Sequence, residues 1–427
     1  MNFMPYPFEK LRNLLKDSVP PDLKDFKEDV KTRDSSDKKD SKNAKFIESK
    51  ALNLSIGEPG FDAPNSVLEA IKENAELVRY YPKALDELVH AQIDFVKKRF
   101  GVSLADSEIV PTFGSREVLF NFPHFLFLDV LKKDSKKPVM AFPNPFYQIY
   151  EGAQIANNAE VIYMPLTEYN DFKPYLSDEN LKDVDLVILN SPNNPTGQAL
   201  NIDELSEWVK LALKHDFILI NDECYSEIYA DTPPPSLLEA SIKAGNKDFK
   251  NIFAINSISK RISAPGLRSG FIAGDSRILK KYKIFRTYVG ISMPLTLQMA
   301  SIVAWQELEY AEFIREKFSK NLALAREIFA DSVIFPYTFY LWLKVQDCNE
   351  IHLNANRLFN DEVFCKELYE STGHIVLPGS YLGRNEGGIG YVRIALIHEP
   401  PAMQKALEEI KAFYIDFKKR YKCGEKR

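Results

Sequence analysis

Between about residues 65 and 300, short apolar runs rich in β-branched residues alternate with helical patterns. The runs are PVMAF, VDLVILN, FILIND, NIFAIN and GFIAG, and NIDELSEWVKLALKH is typical of the helical patterns between them. Strands that alternate with helices form parallel sheets covered by helices. We therefore predict an α/β domain with a largely parallel sheet over residues 65–300.

The flanking segments have a different pattern. After residue 300, long helical segments surround a few strands such as TFYLWLKV and GYVRIALI, which predicts a smaller α+β domain over residues 301–427. The stretch MNFMPYPFEKLRNLLKD predicts a short amphipathic helix, and we expect residues 1–64 to form an arm that completes the smaller domain. Residues 31–45 are poor in apolar residues and dense in mixed charge, which predicts a mobile insertion.

Composition argues against several classes of protein. The formal net charge is −5, so there is no electrostatic reason to expect a nucleic acid or a membrane surface as a partner. No apolar run is long enough to span a bilayer or to act as a secretory signal. The four cysteines are not closely spaced and the six histidines lack metal-ligand spacing. We expect a cytoplasmic protein without a metal ion.

Polar and aromatic side chains follow four of the predicted strands. Parallel sheets bind ligands beyond the carboxyl ends of their strands, so these positions are candidate site residues. They are Asn194 in SPNNPTG, Asp222 and Tyr225 in DECY, Lys260 in NSISKRISAPGLRSG, and Tyr147 in PNPFYQIY. In PTFGSREVLF, Gly114 and Ser115 precede an apolar helix, whose N-terminus is suited to a phosphate.

Taken singly, each stretch has an ordinary structural interpretation. SPNNPTG is a plausible turn, and a glycine and serine before a helix commonly form an N-cap. The segment around Lys260 could be a solvated basic loop or an amine nucleophile beside an anion-binding site. Only the order of the stretches and their shared position at strand ends favour a ligand site.

Together these stretches resemble fold type I pyridoxal-phosphate (PLP) enzymes of the aspartate-aminotransferase-like family. The motifs that carry the resemblance are NNPTG, D-x-x-Y, and S-x-x-K followed by an arginine eight positions later. The resemblance extends from Leu54–Pro64 to Tyr391–Pro400. It implies an α/β fold with a mostly parallel seven-stranded sheet, PLP as cofactor, amino-acid and keto-acid substrates, and a homodimer whose subunits share the active site.

The resemblance also assigns roles to individual residues. Lys260 matches the lysine that forms a Schiff base with PLP and moves a proton on the substrate, and Asp222 matches the carboxylate that pairs with the pyridine nitrogen. Asn194 and Tyr225 match donors to the ring oxygen, and Tyr147 matches the aromatic stacked on the ring. The phosphate ligands would be Gly114, Ser115, Arg116, Ser257 and Arg268, the last because a guanidinium donates two hydrogen bonds to one anion.

Substrate-binding positions can be matched in the same way. Arg393 aligns with the arginine that binds the substrate α-carboxylate, with Asn194 nearby, and Gly57 aligns with a glycine whose backbone approaches that carboxylate. Two stretches depart from the family. In RYYPKALDEL, Tyr80 fits the residue that reaches the partner's phosphate, with Tyr81 as the alternative. VGISMPLTLQ lacks the arginine that binds the side-chain carboxylate in animal aspartate aminotransferases.

Several segments are most similar to bacterial N-succinyl-L,L-diaminopimelate aminotransferases: PTFGSREVLFNFPHF, PNPFYQIYEGA, TFYLWLKV and HIVLPGSYLGR. This similarity implies transfer between glutamate and N-succinyl-2-amino-6-oxopimelate. The alternatives are an aspartate-, aromatic- or alanine-type aminotransferase, a PLP β-lyase, and a PLP-binding regulator, for which the N-terminal arm leaves no room for a DNA-binding domain. A nicotinamide dehydrogenase is disfavoured because no G-x-G-x-x-G follows a first strand.

Overall fold

The computed structural model describes residues 3–21, 51–131, 136–346 and 360–421, so the predicted insertion at 31–45 lies outside the described residues. The helices are α1 (Pro7–Leu15), α2 (Asn65–Glu73), α3 (Asp86–Phe100), α4 (Ser115–Phe125), α5 (Ile149–Ala156), α6 (Asn180–Asp183), α7 (Ile202–His215), α8 (Leu237–Lys243), α9 (Ser276–Val289), α10 (Leu295–Gln306), α11 (Leu308–Ile328), α12 (Asn360–Thr372) and α13 (Pro400–Arg420). The strands are β1 (Ile109–Thr112), β2 (Val139–Asn144), β3 (Glu160–Pro165), β4 (Leu186–Asn190), β5 (Ile218–Asp222), β6 (Ile252–Ser257), β7 (Gly270–Gly274), β8 (Tyr340–Lys344), β9 (Leu377–Pro378) and β10 (Tyr391–Ala395).

Seven strands form one sheet in the order β1-β7-β6-β5-β4-β2-β3. The ladders that join β3, β2, β4, β5 and β6 are parallel, whereas β7 is antiparallel to both of its neighbours. In this register Asn190 pairs with Asp222, and Asp222 pairs with Ile255. The prediction of a mostly parallel seven-stranded sheet is confirmed, and the polar residues that follow these strands lie at one edge.

Both faces of the sheet are buried, which explains why its strands are continuous apolar runs rather than alternating patterns. Every residue of β4, β5, β6 and β7 is buried. Helices α2, α3, α7, α8 and α10 supply the core on one face, and α4, α5 and α9 supply the core on the other. The sheet is therefore a rigid base for the loops at its carboxyl edge.

The loop after β4 is held by the start of the helix that follows it. The side chain of Asn201 accepts hydrogen bonds from the backbone N–H groups of Asp203 and Glu204, and Glu204 accepts one from the Asn201 N–H. This reciprocal capping satisfies donors that the first helical turn leaves free. It fixes the point at which the NNPTG segment enters α7.

A second sheet, in the order β8-β10-β9, packs against α11, α12 and α13. Helix α1 contacts α12 and β9, and the backbone near Leu54 hydrogen-bonds to Ile375 and Ala395. Helix α10 belongs to the core of the large sheet, whereas most of the buried residues of α11 belong to the second core. We propose that the division between the two parts lies at Glu307, where α10 ends and α11 begins, close to the predicted residue 300.

None of the helices among the described residues has the length and apolar character needed to cross a membrane.

Candidate active site

A cavity of about 510 Å³ lies beyond the carboxyl ends of β2, β4, β5 and β6. The structure brings most of the predicted site residues together in its lining: Gly57, Ser115, Arg116, Tyr147, Asn194, Asp222, Tyr225, Ser257, Lys260, Arg268 and Arg393. Gly114 lies directly behind this lining, against the guanidinium of Arg268. Tyr80 does not line the cavity of its own chain, and about half of its surface is exposed.

Lys260 lies in the turn that follows β6, and its ammonium donates a hydrogen bond to the backbone carbonyl of Gly57. Burial in the cavity lowers the pKa of this amine from its ordinary value of 10.5 to about 8, and the guanidinium of Arg393 acts in the same direction. A lysine with a lowered pKa is more often present as the free amine, which is the nucleophilic form.

Asp222 is the last residue of β5, and its side chain is buried. Its carboxylate accepts hydrogen bonds from the backbone N–H of Cys224 at 3.3 Å and from the hydroxyl of Tyr150 at 2.8 Å. Burial raises the pKa of this carboxyl, and the hydrogen bonds oppose that rise. An acid held in this way at the base of the cavity can pair with a cationic ring nitrogen.

One wall of the cavity is suited to a phosphate. Helix α4 begins at Ser115, and the backbone N–H groups of its first turn have no partner within the helix. The hydroxyls of Ser115 and Ser257 and the guanidinium of Arg268 line the same cavity. Gly114 has a φ of 74° and a ψ of 171°, and a Cβ there would overlap the Arg268 guanidinium. Glycine is therefore required on both backbone and packing grounds.

Arg393, on β10, is buried at the opposite side of the cavity. Its Nη1 donates to Asn194 Oδ1 at 2.9 Å, its Nη2 donates to the Ser55 carbonyl at 2.6 Å, and its Nε has no hydrogen-bond partner among the described residues. The guanidinium lies over the ring of Tyr340, 4.3 Å from the centroid. A buried arginine with an unpartnered N–H is suited to a carboxylate.

Tyr340 lines the cavity, although it was not predicted from the sequence. Its hydroxyl lies 3.0 Å from that of Tyr225, and a Cβ on Gly57 would overlap it. The resemblance predicts a glycine at position 57 because its backbone would approach a substrate carboxylate. In the structure, the group that lies close to this glycine is the Tyr340 hydroxyl. The signal that could have identified Tyr340 is its position in TFYLWLKV, a predicted strand.

The N-terminal arm also supplies unpredicted lining residues, namely Tyr6, Pro7 and Phe8. Arg116 joins the start of α4 to the segment after β2, since its Nε donates to the Tyr147 hydroxyl at 2.6 Å. Nothing in MPYPFEK distinguishes a cavity wall from an ordinary start of a helix, because Pro7 and Phe8 suit both. The packing of α1 on α12 and β9 places these residues at the site.

The residues present fit PLP. A phosphate would face the start of α4 and Arg268, a ring nitrogen would face Asp222, and an aldehyde carbon would face Lys260. The glycine at position 114 leaves room for the Arg268 guanidinium at this anion site. The cavity thus combines an anion site, a carboxylate and an amine of lowered pKa.

Comparison with known proteins decides the family. Residues 49–410 match the family model described as aminotransferase class I and II. The protein belongs to this family. Class I and II aminotransferases use PLP and act on amino- and keto-acid substrates, so the fold, the cofactor and the general reaction predicted from the sequence are confirmed.

Three relatives show how far the likeness extends. The crystal structure of aminotransferase AspB from Helicobacter pylori is 49% identical, covers 97% of this chain and 100% of its own, and has a TM-score of 0.85. An aminotransferase from Neisseria meningitidis is 33% identical, covers 97% and 98% of the two chains, and has a TM-score of 0.82. The LL-diaminopimelate aminotransferase of Natranaerobius thermophilus is 30% identical over 377 residues, which are 85% of this chain and 92% of that protein.

Proposed function

We propose that this aminotransferase exchanges an amino group between glutamate and a long keto acid with several carboxylates, and that the keto acid is N-succinyl-2-amino-6-oxopimelate. The observation that carries this proposal is the charge of the cavity. Among the described residues that line it, four are cationic (Arg116, Lys260, Arg268 and Arg393) and one, Asp222, is acidic. Asp222 is buried and already accepts two hydrogen bonds.

This charge distribution separates two related substrates. Free LL-diaminopimelate carries a second ammonium group far from the reacting carbon, and a buried ammonium needs an acidic partner. In the succinylated compound that nitrogen is an amide, and the added group ends in a carboxylate. The one acidic side chain among the described lining residues is Asp222, which is assigned to the ring nitrogen, so the cavity offers no acidic partner to a distal ammonium and favours the succinylated compound. The curated relative named LL-diaminopimelate aminotransferase supports a substrate of this carbon skeleton without deciding between the two forms.

Each cation has a proposed task. Arg268 would bind the cofactor phosphate, and the planar guanidinium of Arg393 would bind the α-carboxylate. Arg116 is the most exposed of the four, so it is available to a distal carboxylate as well as to the phosphate. PLP, when bound, supplies the electron sink for the carbanion formed at the substrate α-carbon. Lys260 Nζ would take the proton from that carbon and return a proton on the cofactor side.

The test is a comparison of kcat/KM values with glutamate as donor. We expect the succinylated keto acid to be preferred to oxaloacetate by at least about tenfold, which corresponds to about 1.4 kcal/mol of differential transition-state binding. Free LL-diaminopimelate, assayed in the reverse direction, should be a poorer donor than its succinylated form. A preference for oxaloacetate would favour the aspartate-type alternative, and release of pyruvate and ammonia would favour the β-lyase alternative.

Substitution of Arg393 by lysine separates carboxylate binding from the rest of the site. Lysine keeps the charge but loses the planar pair of donors, so both half-reactions should weaken together, whichever substrate is used. Tyr391→Phe is a suitable control because Tyr391 lies on the same strand and bonds to Glu168 outside the cavity. If Arg393→Lys weakened the reaction of only one substrate, Arg393 would not be the common carboxylate site.

We also propose that the enzyme is a homodimer. A second cavity, of about 630 Å³, opens between residues 82–84 and residues 287–293. Tyr81, which precedes the first segment, and Tyr288, which lies in the second, are 99% and 88% exposed. Large exposed aromatic side chains beside an open cavity mark an interaction surface. A second copy of the chain is the proposed occupant, with Tyr80 or Tyr81 reaching the cofactor phosphate of the other subunit.

A further inference from the structure

The carboxylate of Asp222 lines the cavity but is almost fully buried, since only 4% of the residue is exposed. An ionised carboxylate in such a position needs hydrogen-bond donors for both oxygens. Oδ1 accepts from the Cys224 backbone N–H at 3.3 Å, which is a long contact, and Oδ2 accepts from the Tyr150 hydroxyl at 2.8 Å. The shorter bond therefore comes from a side chain that no motif identified.

Tyr150 is itself firmly held. It lies in the first turn of α5 with no exposed surface, and its ring packs edge-to-face on Tyr147 with centroids 5.8 Å apart. The ring centroid of Phe142, on β2, lies 6.0 Å from the ring centroid of Tyr150. Burial raises the pKa of the Tyr150 hydroxyl well above its ordinary value, so this hydroxyl stays protonated and acts as a donor.

We propose that Tyr150 is a positioning residue that keeps Asp222 ionised and oriented for the ring nitrogen of PLP. A hydroxyl that donates to a carboxylate favours the ionised form, because a protonated carboxyl accepts less strongly. Tyr150 and Tyr147 are three residues apart, so one turn of chain would supply both the ring-stacking side chain and the donor to the acid. This role goes beyond the residues expected to contact the cofactor.

The test is to bind two cofactors to the apoprotein and to its Tyr150→Phe variant. One is PLP, and the other is its deaza analogue, in which a C–H group replaces the ring nitrogen. Phenylalanine keeps the buried ring and removes only the hydroxyl. We expect the dissociation constant of PLP to rise about tenfold or more, the effect of losing one hydrogen bond to a charged group. The dissociation constant of the deaza analogue should stay the same or fall, because it does not need the ionised acid.

Tyr282→Phe is the matched control. Tyr282 is also fully buried in the same core, and its hydroxyl lies 3.4 Å from a different carboxylate, that of Glu117. This variant should show the same small loss of thermal stability as Tyr150→Phe without a selective loss of PLP affinity. The comparison separates the effect on Asp222 from the general effect of removing a buried hydroxyl.

Two results of this titration would overturn the proposal. Equal weakening of PLP and of the deaza analogue would mean that Tyr150 only shapes the cavity, and no weakening of either would mean that Asp222 does not depend on it. A second measurement uses the Asp222→Ala background. There, adding Tyr150→Phe should change the dissociation constant of PLP by less than about twofold, since coupled residues lose their effect when the partner is gone. If Tyr150→Phe weakened PLP binding in the Asp222→Ala background as much as it does in the wild type, that result would also contradict the proposal.

Discussion

At the scale of single residues, burial and nearby charge alter the chemistry of groups that are ordinary in water. The Lys260 amine lies in a cavity with other cations, and both burial and the Arg393 guanidinium lower its pKa. Asp222 is the reverse case, since burial raises its pKa and donated hydrogen bonds oppose the change. These opposite changes give one site both a nucleophilic amine and a buried acid.

The lowered pKa of Lys260 predicts a pH dependence of stability in the apoprotein. Between about pH 8 and pH 10.5 the unfolded chain binds more protons at this position than the folded chain, so the contribution of Lys260 to the free energy of unfolding rises with pH. Below pH 8 Lys260 is charged in both the folded and the unfolded chain, so the folded protein bears the full free-energy cost of burying the ammonium. Lys260→Met should therefore be more stable than the wild type at pH 7, and this advantage should shrink by pH 10.

Denaturant unfolding of both apoproteins at the two pH values measures this difference. Lys98→Met, which changes an exposed lysine of α3, is the control for removing a lysine from the surface. A stability difference between Lys260→Met and the wild type that stayed constant from pH 7 to pH 10 would contradict the assigned pKa.

At the scale of elements, the backbone conformation at the start of α4 bears directly on the proposed phosphate site. Gly114 precedes this helix with a φ of 74°, and Gly101 ends α3 with a φ of 67°. Alanine at either position is strained, at a cost on the order of 1–3 kcal/mol. The two sites differ in their neighbours, because a Cβ on Gly114 would overlap the Arg268 guanidinium whereas nothing lies within 4 Å of one on Gly101.

This difference makes a matched pair of variants. We expect both Gly114→Ala and Gly101→Ala to lose thermal stability, and Gly114→Ala to lose more, because its ψ of 171° lies outside the left-handed helical region that Gly101 occupies with a ψ of 11°. Only Gly114→Ala should weaken PLP, by roughly tenfold or more, because it displaces a charged donor from the phosphate site. Cofactor titration of the two apoproteins measures this. Normal PLP affinity in Gly114→Ala would show that the phosphate does not depend on this arrangement.

At the scale of the whole molecule, the site joins residues from both parts of the chain. Arg393 of the three-stranded sheet donates to Asn194, which follows β4 of the seven-stranded sheet, and Lys260 donates to Gly57 in the segment that links the arm to the large sheet. Any relative movement of the two parts would change these contacts. The proposed binding of substrate at Arg393 would therefore be linked to the position of the small sheet.

The proposed dimer is tested at this scale by sedimentation at assay concentration, where the wild type should sediment as a dimer. Tyr288→Glu should weaken the dimer, because it introduces a charge beside the second cavity. Tyr169→Glu is the control, since Tyr169 is 96% exposed and lies in a different loop. An active wild-type monomer would refute the proposal, and equal behaviour of the two variants would place the interface elsewhere.

Much of the large sheet and several site residues could be predicted because their signals are local. VDLVILN and FILIND are largely apolar runs that indicate buried strands, and Asp222 is the last residue of the second run. Tyr150 gave no such signal. It lies among apolar helix residues like any core tyrosine, and only the packing of α5 under the sheet brings its hydroxyl to Asp222.

The sequence by itself determined the class of fold, the order of the strands that carry polar ends, and the identity of the amine, acid and arginines, because each depends on a residue and its close neighbours along the chain. The tertiary structure decided which distant side chains complete the cavity. Tyr6 of the arm and Tyr340 of the small sheet line it, and Tyr150 of the large part donates a hydrogen bond to the lining residue Asp222. Tyr150 and Asp222, for example, are 72 residues apart along the chain. Residues so far apart in the sequence are brought together only by the packing of whole helices and strands.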